Sequence, residues 1–424
     1  MSRAANTRAI AARAVHGVAV RHRPLEEAIL SDSLDDADRA LVSELAYGTV
    51  RHYFSLRMEI SAHLTAPLKP RDRIIESLLL VGAYQIRHTR IPAYAAVSES
   101  VAAVGELGRP WAKRLVNAVL RAIASKAPQS SDTARDNPPW LVEHVQQDYP
   151  DTWQRLLAVA GERAPMSLRV NRRRGTREAY AERLNAQGVR ASAGLGPDSL
   201  RLDAPVPVAQ LPDFEQGRVS VQDEGAQLAV ELVGDARRFL DACAAPGGKA
   251  FHRLERYPAT RLTALDIDAD RCARMRSECR RLDIDPGIVV GGDALEHSWW
   301  DGEAFDAILI DAPCSGTGTL RRHPDIRLLK RAEDLPAFHS VQSRLLANLW
   351  PLLAPGGTMI YCTCSILGLE NDSVIEKLVA GTPDAEPKPI ETSWGIATVF
   401  GRQLVPVSGG PDGFYYARVD KRPS

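Results

Sequence analysis

Across residues 3–125, alanine, leucine and valine recur at helical spacing with few strand signals, as in 74–80 and 115–123, and this period predicts an all-α bundle. Residues 126–139, rich in Ser, Asp and Pro, read as a linker. Helical segments follow, then a strand over 166–171 running into Arg172-Arg173-Arg174, and a helix over 177–187, together a small α+β module. The triple arginine reads as a phosphate contact or a solvated strand end. From residue 239 onward, short apolar runs alternate with helical stretches, at 239–243, 262–265, 288–290, 305–310 and 357–362. That succession predicts an open α/β sheet with its ligand outside the carboxyl ends of the strands. Segments 403–407 and 414–419 flank Gly409-Gly410-Pro411-Asp412-Gly413, a hairpin that supplies an antiparallel pair to the sheet. Val221-Gln222-Asp223-Glu224-Gly225 precedes a helix expected to pack at the mouth of the crevice.

Two of these strands end on cysteine. Asp311-Ala312-Pro313-Cys314 follows 305–310, and Thr363-Cys364-Ser365 follows 357–362, so both thiols are expected to face one crevice. One such cysteine alone would read as a small buried hydrophobe. Upstream, Asp241-Ala242-Cys243-Ala244-Ala245-Pro246-Gly247-Gly248-Lys249 is a strand leading through a glycine turn into a helix, where the backbone can approach a ligand closely. It is not a nucleoside-triphosphate loop, because Cys243 stands where the first glycine belongs and Ala250 replaces Ser or Thr; nor does it contain GxGxxG. Asp266 ends the next strand 18 residues beyond Gly248, about the spacing at which an acid reaches ribose hydroxyls. Asp293 and Asp311 end two further strands. Singly, each acid would read as a helix cap; three in succession point to a ligand.

These segments resemble the bacterial S-adenosylmethionine-dependent RNA cytosine 5-methyltransferases of the RsmB (Sun, Fmu) group, over nearly the whole chain. The resemblance implies a Rossmann-like α/β methyltransferase domain over 218–424. Before it stand an all-α NusB-like RNA-binding bundle over 1–130, and a linker with a small α+β RNA-recognition-like subdomain over 131–217. Leu45-Ala46-Tyr47-Gly48-Thr49-Val50-Arg51 and Arg114-Leu115-Val116-Asn117-Ala118-Val119-Leu120 carry the likeness to the antitermination factor NusB. By the same resemblance, S-adenosylmethionine contacts fall on Cys243, Ala244, Ala245, Pro246, Gly247, Gly248, Lys249, Asp266, Asp293 and Asp311, and the nucleophile is Cys364. The implied substrate is a cytosine of small-subunit (16S) rRNA, usually cytosine 967. Ala250 and Phe251 depart from the small polar residues usual there, and Cys362 adds a third thiol.

The chemistry accounts for two cysteines and an acid. Carbon 5 of cytosine is a poor nucleophile until a thiolate adds at carbon 6 and makes the ring an enamine. After methyl transfer the carbon 5 proton must leave, a task for a second cysteine as general base or relay. Asp311 is placed to hydrogen-bond the exocyclic amine or a protonated nitrogen 3. On chemical grounds alone Cys314 and Cys364 could exchange roles, since Pro313-Cys314 matches the nucleophile of DNA cytosine methyltransferases. The resemblance of the Thr363-Cys364-Ser365 segment, with no DNA-type target-recognition region, assigns attack to Cys364 and product release to Cys314.

Composition narrows the class. The 424 residues carry no net charge, yet residues 1–125 hold 17 Lys and Arg against 12 Asp and Glu, leaving the remainder at −5. A basic N-terminal part fits a polyanionic partner. Arginines number 45 against 8 lysines, which a GC-rich genome would also produce. The six cysteines form no CxxC pair, so neither a disulfide framework nor a metal site is expected. No signal peptide or membrane span is read, so a monomeric cytoplasmic enzyme acting on rRNA, without DNA or membrane, is expected. A tRNA cytosine methyltransferase would keep the same catalytic residues, and a non-catalytic assembly factor would keep only the basic bundle.

Overall fold

The computed structural model describes residues 6–29, 34–127 and 133–423. They form two compact units: residues 1–162 with 320–332, and residues 163–319 with 333–424. Five residues of the expected linker, 128–132, lie outside the described residues.

The first unit is helical, with no strand among its described residues. Its long helices span Thr7–Arg21, Asp36–Arg51, Arg73–His88, Ala93–Glu106 and Lys113–Ala124. Asn6 and Asp35 cap the first two by accepting from the Arg8 and Asp38 amides. Leu45, Leu78, Leu79, Val116 and Leu120 face inward at helical spacing and are fully buried. A β-carbon at Gly48 would lie 1.9 Å from the Tyr84 ring, so only glycine lets these helices approach as they do. The Tyr84 hydroxyl donates to Glu44 at 2.7 Å. Segment 320–332 is part of this unit: the Leu25 amide donates to Asp325 at 3.0 Å, and Arg51 donates to the Arg321 carbonyl at 2.9 Å. Arg327, buried, donates to the Asn137 side chain and to the carbonyls of Leu320 and Ala160.

The second unit holds two sheets. The smaller is antiparallel, from β1 (Ser167–Val170), β2 (Ala191–Ala193), β3 (Ser199–Leu202) and β4 (Val219–Val221) in the order β2-β3-β1-β4. Helix Arg177–Ala186 packs Tyr180 and Leu184 on Leu168, Val170 and Leu200. The arginine triplet at the end of β1 engages this chain's own groups: Arg172 lies 3.4 Å from Asp198, Arg174 lies 3.4 Å from Asp283, and Arg173 donates to the Asp283 carbonyl. Arg169, inside β1, is buried and bonds both oxygens of Glu255 at 2.8 Å. It also donates to the Gly248 carbonyl at 2.6 Å, fastening the small sheet to the glycine turn.

The larger sheet comprises β5 (Arg238–Ala242), β6 (Arg261–Asp266), β7 (Val289–Gly291), β8 (Phe305–Asp311), β9 (Leu353–Thr363), β10 (Ala385–Lys388), β11 (Ile396–Ala397), β12 (Arg402–Leu404) and β13 (Phe414–Lys421). Its order is β11-β12-β13-β9-β8-β5-β6-β7, with β10 on β13. Strands β5 to β9 run parallel, and β13 closes antiparallel on β9. From β5 the chain builds outward to β6 and β7, then returns to place β8 on the other side, which makes the β5–β8 junction the topological switch point. Buried Leu240, Ala242, Ile308 and Ile310 pack one face of the strands and Phe239, Ala264, Ala307 and Leu309 the other. The helix after Asp223, Glu224–Glu231, departs from expectation. It packs on helix Gly248–Arg256, on β1, where Gln227 donates to the Leu168 carbonyl, and on β13, where Tyr416 donates to the Gly225 carbonyl, and contributes nothing to the crevice lining. Its buried Leu228, Ala229 and Val230 demand a covered face, which these elements provide.

Candidate active site

A cavity of about 400 Å³ opens at the carboxyl ends of β5, β6, β7, β8 and β9. Cys243, Ala245, Asp266, Asp293, Asp311, Cys314 and Cys364 all line it. Five residues named for the cofactor, Ala244, Pro246, Gly247, Gly248 and Lys249, do not line it. Gly247 has φ +99°, and a β-carbon there would meet the Phe251 ring at 2.3 Å, so the turn requires glycine. Gly248 opens the helix that carries Lys249. Strand β5 stops one residue short of Cys243, which has φ +60° and begins the turn.

Two acids define the β6 and β7 end of the cavity. Asp266 is held by backbone: its carboxylate accepts from the Ala245 amide at 2.9 Å and the Asp268 amide at 3.0 Å. Asp293 accepts from the Leu295 amide at 2.8 Å. Between them Ile267 is 70% exposed, and with Ala294, Leu295 and Pro313 it makes an apolar shelf. Sequence reasoning missed Arg271, which lies 3.7 Å from Asp266, bonds the Ala245 carbonyl and lines the cavity. Its signal was position alone, in the first turn of helix Ala269–Leu282 after Asp266.

The β8 and β9 end is where the reactive groups meet. The Cys314 and Cys364 sulfurs are 3.4 Å apart. Their hydrogen bond, together with burial, raises the Cys314 thiol well above its ordinary range. Lys249 Nζ sits 2.5 Å from one Asp311 oxygen, and the Cys362 thiol points at the other from 3.6 Å. Burial opposes the charge on Lys249, but Asp311 and its neighbours outweigh it and raise the lysine. Burial raises Cys362 well above its ordinary range, with Asp311 adding to the effect, and pushes Cys243 up to about 12. Asp241, fully buried at the end of β5, closes no hydrogen bond of ordinary geometry with either oxygen among the described residues. Burial pushes its carboxyl up to about 8, against the opposing pull of Lys249.

A second buried acid was also missed. Glu370 accepts from the Ser315 amide at 2.7 Å, the Ser315 hydroxyl at 2.5 Å and the Ser365 hydroxyl at 2.6 Å. In sequence it stands in Leu369-Glu370-Asn371-Asp372, which has the composition of a solvated helix start.

Comparison with known proteins agrees with this architecture. Residues 229–420 match the family described as 16S rRNA methyltransferase RsmB/F, residues 5–125 the NusB family, and residues 137–209 the RsmF/B-like ferredoxin-like domain. Ribosomal RNA small subunit methyltransferase B of Pseudomonas putida is 41% identical over 98% of both chains. The protein of that name from Xylella fastidiosa (strain Temecula1) is 43% identical over 98% of this chain and 97% of its own. The crystal structure of PH0851 shares the fold at 22% identity, with a TM-score of 0.82 over 98% of this chain and 99% of that one.

The cavity suits S-adenosylmethionine on its own chemistry: a backbone-held carboxylate for a vicinal diol, an apolar shelf for a flat heteroaromatic ring, and acids for a cationic amino acid tail. The chain belongs to the 16S rRNA methyltransferase RsmB/F family, and its methyl donor is S-adenosylmethionine.

Proposed function

We propose that this enzyme methylates carbon 5 of a cytosine in small-subunit rRNA, cytosine 967, through a covalent adduct between Cys364 and carbon 6 of the base. The observation that carries this reading is the pair of sulfurs 3.4 Å apart on the cavity wall that Asp311 also lines. S-adenosylmethionine supplies an electrophilic methyl group. The protein must make carbon 5 nucleophilic, and a thiolate adding at carbon 6 does so. Cys314, whose proton affinity is raised, keeps its S–H within hydrogen-bond reach of the Cys364 sulfur. Asp311, paired with Lys249, lies at the base edge and accepts a hydrogen bond from the exocyclic amine or a protonated nitrogen 3. After methyl transfer Cys314 relays the proton leaving carbon 5, taking it on sulfur as its own S–H proton passes on toward solvent. In this reading residues 1–130 and 131–217 hold the RNA, and residues 218–424 carry out the reaction in the cytoplasm.

Bisulfite sequencing of total RNA from a strain lacking this protein tests the assignment. One protected cytosine of the small-subunit rRNA becomes convertible, and wild-type protein but not Cys364→Ala restores it. Loss of a tRNA site instead would move the substrate to tRNA. An unchanged RNA profile would overturn the reading.

A further inference from the structure

We propose that Glu370 is a positioning residue for the two-thiol site: its carboxylate, enclosed in the protein, ties the residue after Cys314 to the residue after Cys364 and thereby sets the separation of the sulfurs. The inference rests on the two-thiol reading above. Backbone pairing of β8 with β9 carries Asp311 opposite Cys362, and the Ala312 amide closes the last bond, to the Cys362 carbonyl at 2.9 Å. The cysteines lie beyond that point, where outside the ladder the Gly318 amide donates to the Cys364 carbonyl at 2.9 Å and Thr317 bonds the Ser365 hydroxyl and the Ile366 amide. Glu370 adds the link between the residues that directly follow the two cysteines. One oxygen accepts from the Ser315 amide, and the other from the hydroxyls of Ser315 and Ser365, so a single side chain spans both segments.

The chemistry of this contact is unusual for a structural brace. Glu370 is fully buried, and no ammonium or guanidinium pairs with it among the described residues. An enclosed carboxylate is expensive unless donors satisfy it, and here they come from neutral groups, with Gln342 adding a longer approach at 3.4 Å. Its own backbone is fixed, since Tyr361 donates to the Glu370 carbonyl at 2.6 Å. Gln342 also donates to the Pro313 carbonyl at 2.9 Å, gripping the Cys314 segment from the other side. Glu370 has a local effect as well, because it is among the groups that raise the proton affinity of Cys314. A neutral brace would hold the segments without that effect.

The test uses the full chain with Glu370→Ala and Glu370→Gln. Phenylarsine oxide, which bonds two adjacent thiols at once, reports sulfur separation without RNA or turnover; Cys314→Ala and Cys364→Ala define its specific signal. Glu370→Ala is expected to slow this capture and to lower kcat on a small-subunit rRNA transcript by about a hundredfold. S-adenosylmethionine affinity and KM for RNA should stay within about twofold, because a misplaced reacting group costs rate rather than binding. Glu370→Gln keeps an acceptor for the Ser315 amide and should recover part of both signals. If Glu370→Ala does not fold, Glu370→Gln and Ser365→Ala carry the test, each with kcat down by about tenfold. Wild-type kcat in the folded variants, or a loss of kcat matched by lost cofactor affinity with arsenical capture intact, overturns the proposal. A wild-type enzyme that forms no RNA adduct would instead overturn the reaction reading, and would leave the arsenical result standing.

Discussion

Lys249 and Asp311 form an ion pair of 2.5 Å, made where helix Gly248–Arg256 meets the end of β8. It places a single positive charge among Asp241, Asp311 and the Cys362 thiol, the groups that raise the lysine. Lys249→Met should therefore leave Asp311 without its counter-charge, and the rate of methyl transfer should fall by about 10²–10³-fold, the range for losing one preorganised charged partner. Single-turnover transfer of labelled methyl measures this. A wild-type rate would reduce the lysine to packing.

The two cysteines differ in the order of events. Cys364→Ala should form no adduct and no product. Cys314→Ala should attack and transfer the methyl group, then stall with RNA bonded to Cys364. Incubation with rRNA transcript and S-adenosylmethionine, followed by a denaturing gel, separates them: a shifted band from Cys314→Ala alone is expected. The reverse pattern would exchange the roles.

Asp266→Ala should weaken S-adenosylmethionine binding by about 2–3 kcal/mol, the scale of lost hydrogen bonds to a charged acceptor. The Ala245 and Asp268 amides lose their acceptor in the same variant, so the turn loosens along with the contact. Titration calorimetry on the folded variant checks the value, and unchanged affinity would remove Asp266 from the cofactor site.

Asp241 makes stability depend on pH in a defined direction. Its folded value, about 8, lies above the ordinary 3.8, so the folded protein holds a proton that the unfolded chain has released. That contribution is fully present below about pH 4 and is lost as pH rises to about 8. Asp241→Asn removes the titration, so its melting temperature relative to wild type should climb between pH 5 and pH 8. A constant difference across that window would mean that the carboxyl is ionised when folded.

If the helical unit grips phosphates, RNA affinity should fall steeply with salt, and reversing the exposed charges of Lys113 and Arg114 to glutamate should flatten the slope. S-adenosylmethionine affinity should not change. Filter-binding at several salt concentrations gives the slopes, and parallel lines would exclude this face from RNA contact.

Much of the catalytic unit was legible because its strands are apolar runs stopped by Asp, Gly or Cys, and such stops put side chains at the carboxyl edge. Cys314 and Cys364, 50 residues apart, could be placed in one crevice on that ground alone. What pattern does not encode is which neighbour a buried face meets. The helix Glu224–Glu231 reads as amphipathic from its residues, but only the structure shows its partners to be helix Gly248–Arg256, β1 and β13. Arg169 and Glu255 form a pair with 1% side-chain exposure each, although charged residues read as solvent-facing from sequence. Glu370 was hidden for the same reason: its role depends on hydroxyl partners as much as 55 residues away in the chain.

The segment 320–332 has a consequence for how the protein is made. Arg327 reaches Asn137 across 190 residues of chain, yet both belong to the helical unit. Synthesis is vectorial, and at roughly 5–20 residues per second the ribosome needs on the order of ten seconds or more to travel from residue 162 to residue 332. Through that interval the nascent helical unit waits with Leu25, Arg51 and Asn137 short of their partners, while the first strands of the methyltransferase sheet emerge. The amino-terminal unit is thus first to be translated yet cannot finish folding until residue 332, well inside the catalytic half, has been made, which couples its maturation to the synthesis of that half.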